Sequence, residues 1–353
     1  IFSLIILLFL IGLFFSLVST SLIVSDKLDT NDYLFFFKHL TFIFLGIFFI
    51  FIFSSMNQEK LFKVSLIIFL ISLMFLFLVP VIGIEVKGSK RWVDLQFLPR
   101  FQPIELVKPF LVIFISIILS SEKYKSIYLK YFFSLLITLM VVLFLVMQPD
   151  IGQTLLVLFV WSVLIFVSGI NITFLLIFFS ILIILFSYLI IFVSKFAYIK
   201  NRLLSFFDPA TGTHNAQSDK AIESITSGGF FGKGIGEGTL KNRVPEAHTD
   251  YIISVISEEF GVIAIILILF LFLVLIYSIF KKVNLENDER TKLILVGCIS
   301  LILMQAIIHI GVNIRLFPTT GMTLPYISYG GSSIISVSIL SGIILNLTKR
   351  KIR

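Results

Sequence analysis

A chain of 353 residues that is 58% hydrophobic and 14% charged, with a mean hydropathy of +1.09, is not a soluble domain. The composition is that of a multi-spanning membrane protein. The net charge is +8; a single cysteine, Cys298, excludes an intrachain disulfide, and no nucleic-acid partner is expected of such an apolar chain.

Apolar runs near 20 residues mark spans. Ten are read in chain order, at about 1–24, 35–55, 61–84, 105–121, 131–147, 152–168, 172–196, 250–280, 292–314 and 326–347. The expected fold is an all-α polytopic membrane protein of about ten transmembrane helices. It forms one domain over 1–353, with a large extracytoplasmic loop at 197–249 between helices 7 and 8. Residues 1–24 are too evenly apolar for a signal peptide core. The chain opens on Ile1, so a preceding segment is expected. The 41 phenylalanines read as lipid-facing side chains.

An even number of spans puts both termini on one side. The tail Lys349-Arg350-Lys351-Ile352-Arg353 marks that side as cytoplasmic. Loop charge alone leaves orientation open, because loops 85–104 and 197–249 are also basic. Two readings stand for them: ordinary solvated loop charge, or a basic basin for an anionic substrate at the outer leaflet.

Several polar segments interrupt the apolar runs. Between spans three and four lie Arg91-Trp92 and then Gln102-Pro103-Ile104-Glu105-Leu106-Val107-Lys108. Trp92 is an interface residue by type. Glu105 and Lys108 are three apart on one helix face, so an ion pair facing the bundle is expected. In Gln148-Pro149-Asp150-Ile151-Gly152, Asp150 is placed to cap the sixth span. The glycine-rich stretch 228–238 follows no strand and lacks a Gly-Lys-Ser/Thr ending. Close backbone packing explains it better than a nucleotide site.

Pro245-Glu246-Ala247-His248-Thr249-Asp250 ends a charged loop where a long apolar run begins. Asp250 is therefore expected at the head of a helix, where water meets lipid. Glu258 and Glu259 would lie about 12 Å deeper, facing a protein interior or a wet cavity. The segment Phe317 to Ser333, with two prolines and three glycines, predicts a broken or re-entrant stretch lining a cavity. The four histidines show no metal-ligand spacing.

Taken together, these motifs resemble the SEDS (shape, elongation, division and sporulation) family. The resemblance rests on PEAHTD and the following SEEFG, the RW and QPxExxK segments, QPDIG, and PTTGMTLPYISYGGSS. It covers essentially the whole chain. PEAHTD, PTTGMTLPYISYGGSS and the large loop look more like the division branch, FtsW, than the elongation branch, RodA. Two departures are His309, where relatives often carry Asn, and Ser19-Thr20-Ser21 in the first span.

The resemblance implies a peptidoglycan glycosyltransferase that polymerises lipid II, a disaccharide-pentapeptide on undecaprenyl diphosphate. It implies the outer face of the bacterial cytoplasmic membrane, at the division septum. A diphosphate leaving group needs cations and no general acid, and the acceptor hydroxyl needs one base. By the family's motif, Asp250 is that base. Arg91, Trp92, Glu105, Lys108, Asp150, Glu246, His248, Ser328, Gly330 and Gly331 fall on motif positions that would shape the substrate site. No cofactor is required, although Mg or Mn could help hold the diphosphate. The implied partners are an FtsI-like class B penicillin-binding protein and other divisome membrane proteins. A lipid II flippase, a scaffold for a transpeptidase, and a RodA-like elongation polymerase are the alternatives.

Overall fold

The computed structural model describes residues 1–20, 33–86, 89–95, 99–124, 126–193, 196–207, 216–239 and 247–349. Among them, ten long helices coincide with the ten expected spans. They are α1 (Phe2–Thr20), α2 (Leu34–Ser55), α3 (Gln58–Ile82), α4 (Pro103–Leu119), α5 (Ile127–Met147), α6 (Ile151–Val167), α7 (Ile172–Phe192), α10 (Ile252–Leu285), α11 (Glu289–Asn313) and α12 (Gly331–Thr348). Eight are long and apolar enough to cross a membrane by length and composition. The other two, α4 and α6, have 17 residues each, and α4 carries a charged pair near its start. The chain is a multi-pass membrane protein.

The large loop is not structureless. It holds two short helices, α8 (Ala197–Phe207) and α9 (Ala216–Gly228). A small hairpin, β1 (Ile84–Val86) with β2 (Ser89–Trp92), joins α3 to α4. The last span starts later than the apolar run suggests. Residues from Phe317 to Gly330 are non-helical, and Tyr326 has φ 67°, as the two prolines and the glycines there foretold.

Small and polar residues hold the bundle together, since lipid gives helices no hydrophobic reason to associate. Helix α12 packs closely on α2, where a Cβ on Gly46 would come within 2.4 Å of Ser338 Oγ. Asn346 Nδ2 donates to the carbonyls of Phe53 (2.8 Å) and Met56 (2.6 Å), satisfying acceptors at the end of α2. Trp161 Nε1 donates to Ser134 Oγ at 3.2 Å, joining α6 to α5. The lipid-facing belt is rich in phenylalanine, with Phe44, Phe51, Phe77 and Phe270 all exposed.

Helix α10 is broken at Gly261, whose φ of 75° and ψ of −176° leave the helical region. In an unbroken helix the amides of Val262 and Ile263 would bond to the carbonyls of Glu258 and Glu259. Here the glycine-rich turn is spliced between them. Val262 N donates to Gly229 O and Ile263 N to Phe230 O, while Lys233 N and Gly234 N donate to the carbonyls of Glu258 and Glu259. All four groups exposed by the break are satisfied by the turn. A Cβ on Gly261 would sit 2.1 Å from Phe230 O, so only glycine fits. This is the close backbone packing that the glycines predict.

Glu258 and Glu259 are buried, as expected, but in protein rather than at a cavity wall. Glu258 Oε2 accepts from Ser224 Oγ at 3.0 Å, and Lys233 Nζ lies 3.4 Å from Glu258 Oε1. The Glu258 carboxylate belongs to the packing of α9 and the glycine turn on α10, and Glu259 meets that turn through its backbone carbonyl.

Candidate active site

A cavity of about 1500 Å³ opens at the end of the bundle where the hairpin, the start of α10 and the segment before α12 meet. Helix α2 contributes Phe35, Lys38 and Phe42 to its wall, and the hairpin region contributes Arg91, Trp92 and Arg100. Glu105, His248, Asp250, Gly330 and Gly331 also line it. Seven of the sequence-proposed site residues therefore share one space.

The remaining four fall elsewhere. Lys108 and Asp150 are buried behind the wall and hold residues that face the cavity. Ser328 is buried and does not line the cavity; its Oγ accepts from Leu324 N at 2.9 Å and closes the turn there. Glu246 lies outside the described residues.

Asp250 sits in a turn immediately before α10, which begins at Ile252 with Tyr251 at its N-cap position. It is thus just outside the helix head rather than capping it from the usual position. Its backbone carbonyl accepts from Asn313 Nδ2 at 3.0 Å, and the same nitrogen donates to His309 O at 2.8 Å. This ties the turn to the end of α11. The carboxylate points toward Gly321, where a Cβ would come within 3.5 Å of Asp250 Oδ2. Tyr329 N donates to His248 O at 3.0 Å. The His248 ring lies against Phe35 (4.7 Å between centroids) and Tyr329 (5.9 Å).

Arg91 braces the cavity floor. Its guanidinium donates to the carbonyls of Gln148 and Pro149, and Nε lies 3.5 Å from Asp150 Oδ2. Asp150 Oδ1 in turn accepts from Gln153 N at 3.3 Å, the cap that the sequence foretells. Gln102 Nε2 donates to the other oxygen at 3.2 Å. Burial pushes the Asp150 carboxyl above the usual carboxylate range, and the Arg91 guanidinium opposes that shift.

The expected Glu105–Lys108 pair is present at 2.8 Å. It is the centre of a chain of buried polar groups. Gln153 Nε2 donates to Glu105 Oε1 at 2.9 Å, and Lys108 Nζ donates to Gln305 Oε1 at 3.2 Å. Gln305 Nε2 donates to Thr323 O at 3.0 Å, and Thr323 Oγ1 donates to Ser333 Oγ at 2.6 Å. Four helices and the non-helical segment before α12 are joined in this way.

The basic basin is only partly where the sequence puts it. Arg91 and Arg100 come from the 85–104 loop as expected, but among the described residues the 197–249 loop sends no cation into the cavity. The third cation is Lys38 of α2, which reads in the sequence as part of an apolar span. A lone lysine after LFFF gives no local sign that it faces a cavity. Among the described residues, no three His, Cys, Asp or Glu side chains gather as a metal-ligand set.

A family model described as a cell cycle protein, FtsW/RodA/SpoVE, matches residues 1–352. The chain belongs to this family. One relative, from Caulobacter vibrioides, is described as a "probable peptidoglycan glycosyltransferase FtsW" and is 32% identical over 84% of this chain and 75% of its own. A second so described, from Haemophilus influenzae, is 31% identical over 98% of this chain and 89% of its own.

Two solved structures agree with this chain in fold. A chain from a peptidoglycan synthase complex that coordinates polymerization and crosslinking superposes with a TM-score of 0.79. It is 26% identical over 98% of this chain and 96% of its own. Thermus thermophilus RodA superposes with a TM-score of 0.70, 26% identical over 99% of this chain and 96% of its own.

Proposed function

We propose that this chain is a peptidoglycan glycosyltransferase that polymerises lipid II at the outer face of the bacterial cytoplasmic membrane during septal wall synthesis. The observation that carries the reading is Asp250 on the wall of an open cavity that Lys38, Arg91 and Arg100 also line. Family membership and relatives described as peptidoglycan glycosyltransferases support it.

The chemistry follows from the charges. Asp250 takes the proton from the acceptor 4-hydroxyl as that oxygen attacks C1 of the donor sugar. The new C1–O4 bond forms as the bond from C1 to the diphosphate breaks on the opposite face. An α-linked donor therefore gives a β-linked product by single displacement. The undecaprenyl diphosphate leaves as an anion, which the cations of the cavity stabilise. One carboxylate suffices, in contrast to the two carboxylates most glycosidases need. Trp92, His248, Gly330 and Gly331 shape the sugar site. Glu105 and Lys108 hold its floor rigid, and Arg91 with Asp150 anchors the hairpin. Among the described residues no three His, Cys, Asp or Glu side chains gather to hold Mg or Mn, and no step here depends on one.

The solved chain from a synthase complex that couples polymerization to crosslinking supports a class B penicillin-binding protein, FtsI-like, as the transpeptidase partner. Purified protein in liposomes, supplied with labelled lipid II, tests the proposal. Glycan strands are expected. Movement of lipid II between leaflets with no polymer would overturn it in favour of a flippase.

A further inference from the structure

The tip of the glycine-rich turn is strongly apolar and points away from the protein. Phe230 is 74% exposed, Phe231 82% and Ile235 67%. Three large apolar side chains in eleven residues of a polar loop would be costly in water. Their position explains them. The same turn is spliced into the break of α10, with Gly229 O and Phe230 O bonded to the amides of Val262 and Ile263. Val262 and Ile263 begin the exposed apolar face of α10, which continues through Ile266, Leu267 and Phe270. The tip is therefore continuous with the lipid-facing surface of that helix.

Length fixes the level. The apolar stretch from Val262 to Phe280, which ends at Lys281 and Lys282, is about 28 Å long at 1.5 Å per residue, and a bilayer core is about 30 Å thick. The part of α10 after the break thus matches the core without help from residues 252–260. Those nine residues are buried in protein apart from Phe260, which is half-buried. The break at Gly261 then lies at the outer edge of the hydrocarbon. Lys233 fits the same level, with its partly exposed ammonium turned to Glu258.

We infer that Phe230, Phe231 and Ile235 insert into the acyl region of the leaflet on the large-loop side, as a lipid anchor for that loop. The anchor acts on α10 at the break, so it fixes the height of the half-helix that follows Asp250 relative to the lipid. Acyl chains are the occupant because the tip extends a face that already meets them.

Spin labelling reads this directly. Cys298 is fully buried, so a label can be confined to an introduced cysteine. Phe231→Cys and Ile235→Cys are labelled in the full chain in nanodiscs, beside a lipid-facing control, Ile266→Cys, and an exposed loop control, Glu237→Cys. Samples are kept only if they elute as wild type on size exclusion. The ratio of oxygen to nickel-chelate accessibility is expected to be severalfold higher at 231 and 235 than at 237, and close to that at 266. A ratio like that of 237 places the tip in water, and low accessibility to both agents places it against protein; either overturns the anchor.

Discussion

Lys108 Nζ lies 2.8 Å from Glu105 Oε1 with both side chains almost wholly buried, and each is also bonded to a glutamine from a different helix. Removing one partner leaves a buried charge with only neutral company. Glu105→Gln or Lys108→Met should each destabilise the protein by about 3–5 kcal/mol. The swap Glu105→Lys with Lys108→Glu should recover expression, because the amides of Gln153 and Gln305 can present either oxygen or nitrogen. Activity should recover less, since Gln305 Nε2 is already committed to Thr323. Thermal stability of the three variants in detergent is the measurement. Single neutral variants as stable as wild type would show that the pair does not hold the bundle.

Arg91 and Asp150 should behave as a coupled pair of a different kind. Arg91→Met leaves the buried Asp150 carboxyl without its cation and should cost on the order of 3 kcal/mol. Adding Asp150→Asn should restore much of that loss, because Asn caps a helix about as well as Asp. A double-mutant cycle on melting temperature checks this. Additive losses would mean that Arg91 acts through the carbonyls of Gln148 and Pro149 alone.

Gly261→Ala should damage the splice between the glycine turn and α10. The new methyl would meet Phe230 O, and alanine would be held at positive φ. Strain of that type costs about 1–3 kcal/mol before the steric contact is added. Proteolysis within 228–238 should become faster than in wild type. Unchanged cleavage and stability would mean that the turn is not held by the break.

Membrane orientation can be tested at Lys220, which is exposed on α9. Neighbouring Ser218 is unsuitable, because it is buried with its Oγ 3.3 Å from Tyr251 OH. Lys220→Cys should react with an impermeant thiol reagent in spheroplasts, and Lys349→Cys should not. The reverse pattern would invert the topology and remove the outer-face site.

The ten spans were legible because each is a long apolar run, and the Glu105–Lys108 pair because i, i+3 spacing on a helix leaves little choice. The Asp150 cap was legible for the same local reason. Lys38 was hidden by its setting: a lone cation in an apolar run carries no local sign of the cavity it faces. The links from Lys108 to Gln305 and from Gln305 to Thr323 and Ser333 join distant segments, and no spacing rule reaches that far. Glu258 and Glu259 show the limit of a depth argument. Cost at membrane depth correctly requires burial in protein, but it does not choose between a wet cavity and a glycine turn 25 residues upstream. Helix α9 reads as loop because its composition is polar, and α8 because its eleven residues, with Lys200, Asn201 and Arg202 among them, are too short for a span.

The central claim is that Asp250 removes the proton from the acceptor hydroxyl. The alternative is that it only shapes the start of α10, where the helix N-terminus favours a carboxylate. Asp250→Asn separates the two, because Asn keeps the size and hydrogen-bonding shape of Asp but is no base. The decisive measurement is glycan polymerisation from lipid II by the purified Asp250→Asn protein, beside its melting temperature. The account predicts a melting temperature close to wild type and polymerisation reduced on the order of a hundredfold or more. A folded Asn variant that still polymerises at near the wild-type rate would contradict it.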